Sequence, residues 1–600
     1  MSRIASKLVY NDLTGGINNV DSKELLNSTT RKTQTPDMMN VEYFKLGGIK
    51  TMEGNTEIGD KQPSAVIGGW EYIKNGTRYM IIGLRNGTVK IYNPTTEVFD
   101  TLFQFSHQSD KMSFCNMNNG VVITNGIDDL MFYEYGRHTS LKGAVSTTQG
   151  STAVVGNSTQ FTVELHSGDR IEINGVVYIV DTITDDTNLT LTTEASDTLS
   201  DVNYYLSTLS PCNATLINTD PDITDDPKPI RGLAIQFYNG RLWVGGKDGL
   251  FYSGVGLYNG WDVYANDAGV ISEVYNDNSE VTALGLFSEY LMVHKELSSY
   301  VLTMTSDSES LMIRPYSNIT CNSQQGWIVS NTKYFVYSRD FMDIYPLVQH
   351  TVFSDKFLGE PVSQKVRNIF VNVIKGEENN IFCVSRPKAR QMIFYLPTVN
   401  QLGSGYGLIY DFQTKSWLLR VVPQYVTIAF NYNNNIYIGT DDGLVLREFS
   451  GRTFRQYDTE QDAVIDTPII SYYRSPWFDW ASGYTQSFAE FMIEIDNGYE
   501  NNFYIRTQKD GQSRFEDRNI VSEKMAGTSL IWDGIVPLDD NDTYWDEDVW
   551  IRGTFDNIRM LLPNNVFEDF QLEFRTDTLN QAFYIYEYSF RRLETEEDPW

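Results

Sequence analysis

The stretch YMIIGLRNGTVKIY, Tyr79–Tyr92, carries the pattern on which the fold reading turns. A short apolar strand is followed by a glycine, a polar turn and a second strand. Three stretches repeat it: VVITNGIDDLMFYEY (Val121–Tyr135), LWVGGKDGLFYSG (Leu242–Gly254) and IYIGTDDGLVLREF (Ile436–Phe449). Gly and Asn supply the positive φ that tight turns need, so each reads as a hairpin. Another strand precedes each, in AVIGGWEYIKNG, KMSFCNMNNG, GLAIQFYNG and VTIAFNYNNN, and three of these end in an Asn-Gly turn. The unit is therefore strand, turn, strand, turn, strand. Asp441-Asp442 falls in such a turn, where Asp is expected on structural grounds alone.

Spacing supports the unit. Gly83 and Gly126 are 43 residues apart, and Gly245 and Gly439 are 194 apart, or four steps of about 48. Fainter copies fall between them: YLMVHKELSSYVLTM (Tyr290–Met304), YFVYSRDFMDIYPL (Tyr334–Leu347) and IFCVSRPKARQMIFYL (Ile381–Leu396). A period of about 40–50 residues with four strands per unit is the signature of a β-propeller. The expected fold is all-β, a propeller of six or seven blades with a small inserted β domain and a C-terminal antiparallel platform or sandwich. Residues 61–143 and 229–457 supply the blades. The interval from Gly126 to Gly245, 119 residues, is too long for one step. Residues 144–211 fill it, and RIEINGVVYIVDTI (Arg170–Ile183) alternates about an Asn-Gly turn. They are expected to form a small barrel or sandwich in a loop between blades two and three, with NTDPDITDDPKPI (Asn218–Ile230) as the return linker. From residue 458 to 600 the strands lengthen, as in SFAEFMIEIDNGYENNFYIRTQKDG (Ser487–Gly511), and the chain closes on an acidic tail, ETEEDPW.

Composition bounds the function. The 600 residues contain 47 Lys and Arg against 78 Asp and Glu, a formal charge of −31. Such a surface repels nucleic acid and anionic membranes, and a sequence-reading DNA binder is normally basic. No apolar run reaches the length of a membrane span, so no stable membrane association is expected. The start, MSRIASKLVYNDL, has no secretory signal pattern. Cys115, Cys212, Cys321 and Cys383 lack metal-ligand spacing and read as buried thiols. His107, His138, His166, His294 and His350 form no zinc motif. No glycine loop ends in the Lys-Ser/Thr of a phosphate cradle. No cofactor, metal or catalytic residue is nominated. The acidic run DDNDTYWDEDVW (Asp539–Trp550) lacks the spacing of a calcium loop. The basic cluster SRPKARQ, with Arg386, Lys388 and Arg390, reads as an exposed turn that could touch phosphate or an acidic neighbour.

Residues 1–60 cannot bury themselves and read as an extended arm ordered by a larger surface. Their core, GGINNVDSKELLNSTTRKTQTPDMMNVEYFKLGGIKTMEGN (Gly15–Asn55), resembles the head of the tail nozzle proteins of short-tailed bacteriophages, also called packaged-DNA stabilisation or tail tubular B proteins. The matches are Gly15, Gly16, Ile17 and Asn18, then Asn40 and Val41, then Gly48 and Gly54. Met52-Glu53 stand where that family carries a basic residue. The blades, the phrase GLIYDFQTKSWL (Gly407–Leu418) and the C-terminal strands follow the family's order over most of the chain. Crass-like phages carry members, and the Asn-rich composition suits them. The resemblance implies a non-enzymatic structural protein of the virion tail, assembled in the host cytoplasm. It implies a homo-oligomeric ring, typically of six copies, below the portal and adaptor proteins and beside tail fibres. Double-stranded DNA would leave through the ring without sequence-specific binding. Asp539, Asp540, Asp542, Arg386, Lys388 and Arg390 are the candidates for its channel wall. The alternative is a propeller glycoside hydrolase or depolymerase, or a carbohydrate-binding tail protein, with paired carboxylates facing across a cleft.

Overall fold

The structure is a computed structural model. It describes residues 2–21, 26, 33–135, 139–167, 169–174, 176–207, 209–223, 226–271, 279–303, 311–330, 332–338, 341–347, 360–374, 376–397, 405–479, 484–496, 499–509, 516–522, 555–560, 566–579 and 581–596.

Short apolar strands separated by Asn and Gly turns fold back on themselves at once. Asn75 and Gly76 sit at φ 50° and 80°, Asn239 and Gly240 at 48° and 78°, the left-handed pair that matches strand twist. Seven blades form in this way among the described residues. Blade 1 holds Val66–Lys74, Thr77–Leu84, Thr88–Asn93 and Val98–Gln104. Blade 2 holds Ser113–Met117, Gly120–Thr124, Met131–Tyr133 and Leu209–Pro211. Blade 3 holds Ala234–Tyr238, Arg241–Gly246, Gly249–Tyr252 and Gly269–Ile271. Blade 4 holds Val281–Phe287, Tyr290–Lys295, Ser299–Thr303 and Met312–Ser317. Blade 5 shows Trp327–Ser330, Lys333–Ser338 and Asp343–Leu347. Blade 6 holds Phe382–Arg386, Gln391–Leu396, Gly405–Asp411 and Ser416–Val422. Blade 7 holds Val426–Tyr432, Asn435–Thr440 and Val445–Glu448, and its fourth strand is Asn55–Glu57 from the head.

The first strands stand side by side around the axis, and blade 7 meets blade 1 where the Thr427 hydroxyl donates to the Val66 carbonyl at 2.5 Å. The recurring glycine has a role the sequence reading missed. Gly83, Gly245 and Gly439 are absent from the positive-φ positions. A Cβ on each would lie 2.3 Å from Met112 Sδ, 2.4 Å from Val281 Cγ1 and 2.8 Å from Val66 Cβ. Each marks the seat of the next blade, so the period in the sequence is a period of blade-on-blade packing.

Three boundaries differ from the expectation. The insert lies inside blade 2, between its third and fourth strands, and its sheet runs from Thr139 to Leu206. Leu209–Pro211 returns to pair with Met131–Tyr133. A three-residue strand whose partner is over 70 residues away in sequence leaves no hairpin signal. Second, the arm ends before Asn55, which already belongs to blade 7. Third, IFCVSRPKARQMIFYL spans the first two strands of blade 6, whereas the other copies span the second and third.

The platform is a two-sheet sandwich shared with the head. Tyr584–Glu596 is its spine. It pairs on one side with Ser2–Tyr10 and Ile49–Thr51, and on the other with Glu490–Asp496 and Thr485–Ser487. The start of the acidic tail, Glu594 to Glu596, is therefore part of a strand. The second sheet contains Ser471–Arg474, Phe570–Thr576 and Asn501–Lys509, with Met38–Met39 on its edge. Phe478, Phe491, Phe570, Phe574, Tyr588 and Phe590 fill the space between the sheets.

Candidate functional site

The head is the joint of the molecule. Its few apolar residues, Leu13, Ile17, Met38, Val41, Ile49 and Met52, are buried in one cluster with blades 6 and 7 and the platform. The side chain of Asn40 donates to the carbonyls of Val421 in blade 6 and Ile470 beside the platform, each at 2.9 Å, and its oxygen accepts the Val421 N–H at 2.8 Å. The Ile17 N–H donates to the Trp417 carbonyl at 3.0 Å. At Gly54 a Cβ would stand 1.8 Å from the Thr453 carbonyl oxygen.

A buried ion pair locks this joint. Arg420 of blade 6 and Glu448 of blade 7 are both fully buried and hydrogen-bonded through Arg420 Nε. The guanidinium also donates to the carbonyls of Glu53 at 2.8 Å and Gly54 at 3.0 Å. Asn55 and the Tyr395 hydroxyl donate to the same carboxylate. Arg420 lies 4.4 Å from the Phe449 ring centroid. Burial, with Glu448 alongside, pushes the Tyr395 phenol well above its usual range.

Where the head crosses blade 6 it leaves a cleft of about 830 Å³. One wall is the head around Asp12, Glu42 and Lys45; the other is the two blade 6 turns at residues 386–391 and 411–414. Glu42 is nearly buried and holds Arg386 at 2.7 Å and Lys50 at 2.9 Å. Burial alone would raise the Glu42 carboxyl, but the two cations outweigh it and hold it below the usual range. Asp411 accepts from the N–H groups of Gln413 and Thr414, both at 2.9 Å, and from Gln391 at 3.0 Å. The Arg386 guanidinium also lies 3.8 Å from the Phe449 centroid. Two of the nominated residues, Arg386 and Lys388, therefore line this cleft. Arg386 is committed to Glu42, while Lys388 is exposed on the short 3-10 turn Pro387–Ala389. Arg390, exposed, closes that turn at φ 54°. Asp539, Asp540 and Asp542 lie outside the described residues.

A second charged group gathers on the opposite face, at the mouth of the propeller axis. Arg85 reaches Asp441 at 2.8 Å and Asp110 at 3.2 Å, and the Tyr425 hydroxyl donates to Glu377 at 3.2 Å. Lys111, before the first strand of blade 2, reaches across to blade 6, its ammonium 4.5 Å from the Phe382 centroid. Burial, only partly offset by Asp110 and Glu377, brings this amine down to about 7. Nothing in the linear pattern marked it, because blades 2 and 6 meet only through the closed ring.

Of the histidines and cysteines, His294, Cys115, Cys212 and Cys321 are buried. His294 is buried, with Ser299 Oγ at 2.7 Å and the Tyr334 hydroxyl at 2.9 Å, and burial lowers it to about 3. Burial raises the Cys115 and Cys321 thiols to about 12. No disulfide joins the four cysteines. His138 and His350 lie outside the described residues. Among the described residues no group of three His, Cys, Asp or Glu is placed to hold a metal, and no helix is long and apolar enough to cross a membrane.

Strand order and closure define a seven-bladed β-propeller fused to a β-sandwich. No protein-family model matches the chain, and no curated protein matches it. Solved propellers align with it at low similarity. The WD40 propeller domain of Doa1 is 9% identical over 69% of this chain and 99% of its own, with a TM-score of 0.32. YCF48 bound to a D1 peptide is 10% identical over 69% and 98%, with a TM-score of 0.35. BamB from Moraxella catarrhalis is 10% identical over 68% and 93%, with a TM-score of 0.29.

Proposed function

We propose that this chain is a structural component of a bacteriophage tail, one subunit of a nozzle ring through which double-stranded DNA is retained and then released. The observation that carries this reading is the use made of the head. Most of the nozzle-like phrases fall on the joints: Gly16 and Ile17 on blade 6, Asn40 and Val41 between blade 6 and the platform, Gly48 on the platform spine and Gly54 on the linker at Thr453, while Gly15 and Asn18 hold the head to itself at Thr33 and Thr35. A tail subunit passes load between neighbouring proteins, and a buried three-way joint keeps its two large bodies in fixed relation.

The proposed partners are further copies in a sixfold ring, the adaptor and portal-proximal proteins above it, and a fibre or other tail protein on the insert. A heterologous contact that closes on itself makes such a ring. No reaction is assigned. In the cleft, Glu42 and Asp411 are each hydrogen-bonded to donors of the protein itself. The test is a cryo-electron reconstruction of the particle that carries this chain, which should place six copies in a closed ring at the distal tail. A monomer, or a trimeric spike, would overturn the proposal.

A further inference from the structure

We infer that the cleft between the head and blade 6 is a docking site for an acidic, extended segment of a neighbouring protein. Its volume, about 830 Å³, lies within the usual range of ligand-binding clefts, about 300–1,000 Å³. On a chain of formal charge −31 its lining is locally the reverse, with Lys45, Lys50, Arg386 and Lys388 against Asp12, Glu42 and Asp411. Four cations stand against three charged carboxylates, and each carboxylate is already held by groups of the protein itself. Glu42 serves Arg386 and Lys50, Asp411 serves Gln391 and its own turn, and Asp12 accepts the Thr14 N–H at 3.1 Å.

Two of these cations make no ion pair among the described residues, and the Lys45 ammonium lies 5.4 Å from the Phe44 ring centroid. Lys388 and Lys45 are exposed, stand on opposite walls, and have no ion-pair partner among the described residues. Both are carried on fixed backbone. Pro387 and the left-handed Arg390 set the turn that presents Lys388. Lys45 follows Phe44, whose ring packs 5.6 Å from each of Tyr499, Tyr584 and Tyr586. Positions fixed in advance lose less freedom when a partner arrives.

The same features select a peptide over DNA. A duplex places a phosphate about every 1.7 Å along its axis and would meet the field of the whole acidic chain. A short segment needs to place only two or three carboxylates between the lysines. The inference rests on the reading of the chain as part of an assembly, because only an assembly keeps such a segment at hand.

The experiment uses the purified full chain and three fluorescein-labelled probes: hexaglutamate, hexalysine and a 20-base-pair duplex, a length of about 68 Å. Hexaglutamate should bind with an affinity that falls as salt rises, and the other two should not bind. Lys45→Glu with Lys388→Glu should weaken hexaglutamate at least tenfold at unchanged melting temperature. Lys333→Glu, on the exposed start of a blade 5 strand, should leave it unaltered. Tighter binding of the duplex, equal binding of hexaglutamate by the double variant, or no hexaglutamate binding at all would overturn the inference. Binding of hexaglutamate by a chain that proves absent from the tail would leave the docking site standing and remove only the nozzle reading.

Discussion

Arg420 and Glu448 show what a single buried pair can hold. Neither is exposed, and the guanidinium also gathers the Glu53 and Gly54 carbonyls, so one side chain ties the head to two blades. Removing one partner of a buried pair leaves the other charged and unpaired, at a cost of about 3–5 kcal/mol. Arg420→Met should therefore lower the urea midpoint strongly and open residues 33–55 to protease first. Arg420→Met with Glu448→Leu should recover much of the stability, and no recovery in the double variant would show that the carbonyl contacts dominate. Lys111 gives a pH-dependent counterpart, facing Asp110, Glu377 and Arg85 at the axial mouth. Below pH 7 the amine is charged in folded and unfolded chain alike, and the site's penalty on the charge is complete. Between about 7 and the ordinary value near 10.5 the unfolded chain holds a proton that the folded chain has released, so stability rises with pH across this window. Lys111→Met should stabilise the protein at pH 6 by at least about 1.4 kcal/mol, the equivalent of one pKa unit, with the gain fading towards pH 10.5. Thermal unfolding of both proteins at the two pH values checks this; an equal gain at both would assign the effect to packing.

The insert behaves as an element with its own core. Val145, Phe161, Ile171, Ile173, Leu189 and Tyr204 are buried together and form a cluster separate from the blades. Its position between the third and fourth strands of blade 2 gives a sharp test of boundaries. Deleting residues 137–207 and bridging with a short Gly/Ser linker should leave the propeller folded, since the strand Leu209–Pro211 still covers Met131–Tyr133. Deleting residues 144–211 removes that strand and should lower the melting temperature and broaden the transition. Equal stability of the two deletions would mean that the fourth strand of blade 2 contributes nothing. The contrast also shows what was legible in sequence. Asn75-Gly76 and Asn239-Gly240 announce their hairpins because strand, turn and partner are contiguous. Leu209–Pro211 and Asn55–Glu57 complete their blades from far along the chain, and no local pattern can announce a pairing of that kind. The cleft was half legible: Arg386, Lys388 and Arg390 stood out as a basic cluster, but the wall carrying Glu42 and Lys45 is more than 340 residues away in sequence.

At the scale of the whole molecule the charge and the architecture bear on the same question. Strands alternate in direction, so turns after the first and third strands of every blade share one face. The insert leaves blade 2 on that face, and the platform and head join blades 6 and 7 on it. Two bodies on one face of a disc, held by a rigid joint, suit a subunit that contacts several neighbours at once. A ring of six such chains would multiply a formal charge of −31 around one opening. In a channel with low-dielectric walls the field is focused, so repulsion of a duplex exceeds that of a flat surface. Salt sets its range: the Debye length is about 10 Å at 0.1 M. A ring of the proposed kind should therefore show no measurable affinity for duplex DNA at physiological salt, and DNA would slide through it without drag. Each phosphate neutralised by a Lys or Arg would add affinity and a salt-sensitive brake. Substituting Lys for acidic residues that face the lumen should create binding that weakens as salt rises and should slow DNA release, with ring assembly unchanged. The measurement compares DNA retention and release rate between particles carrying the native and the charge-reversed chain. Lys388→Glu supplies the control of opposite sign: if the basic turn of blade 6 faces a protein segment and not DNA, this substitution leaves the release rate unaltered. Tight duplex binding by the native ring, lost steeply with salt and abolished by Lys388→Glu, would mean that the basic turn grips DNA and that the acidic excess does not govern its passage.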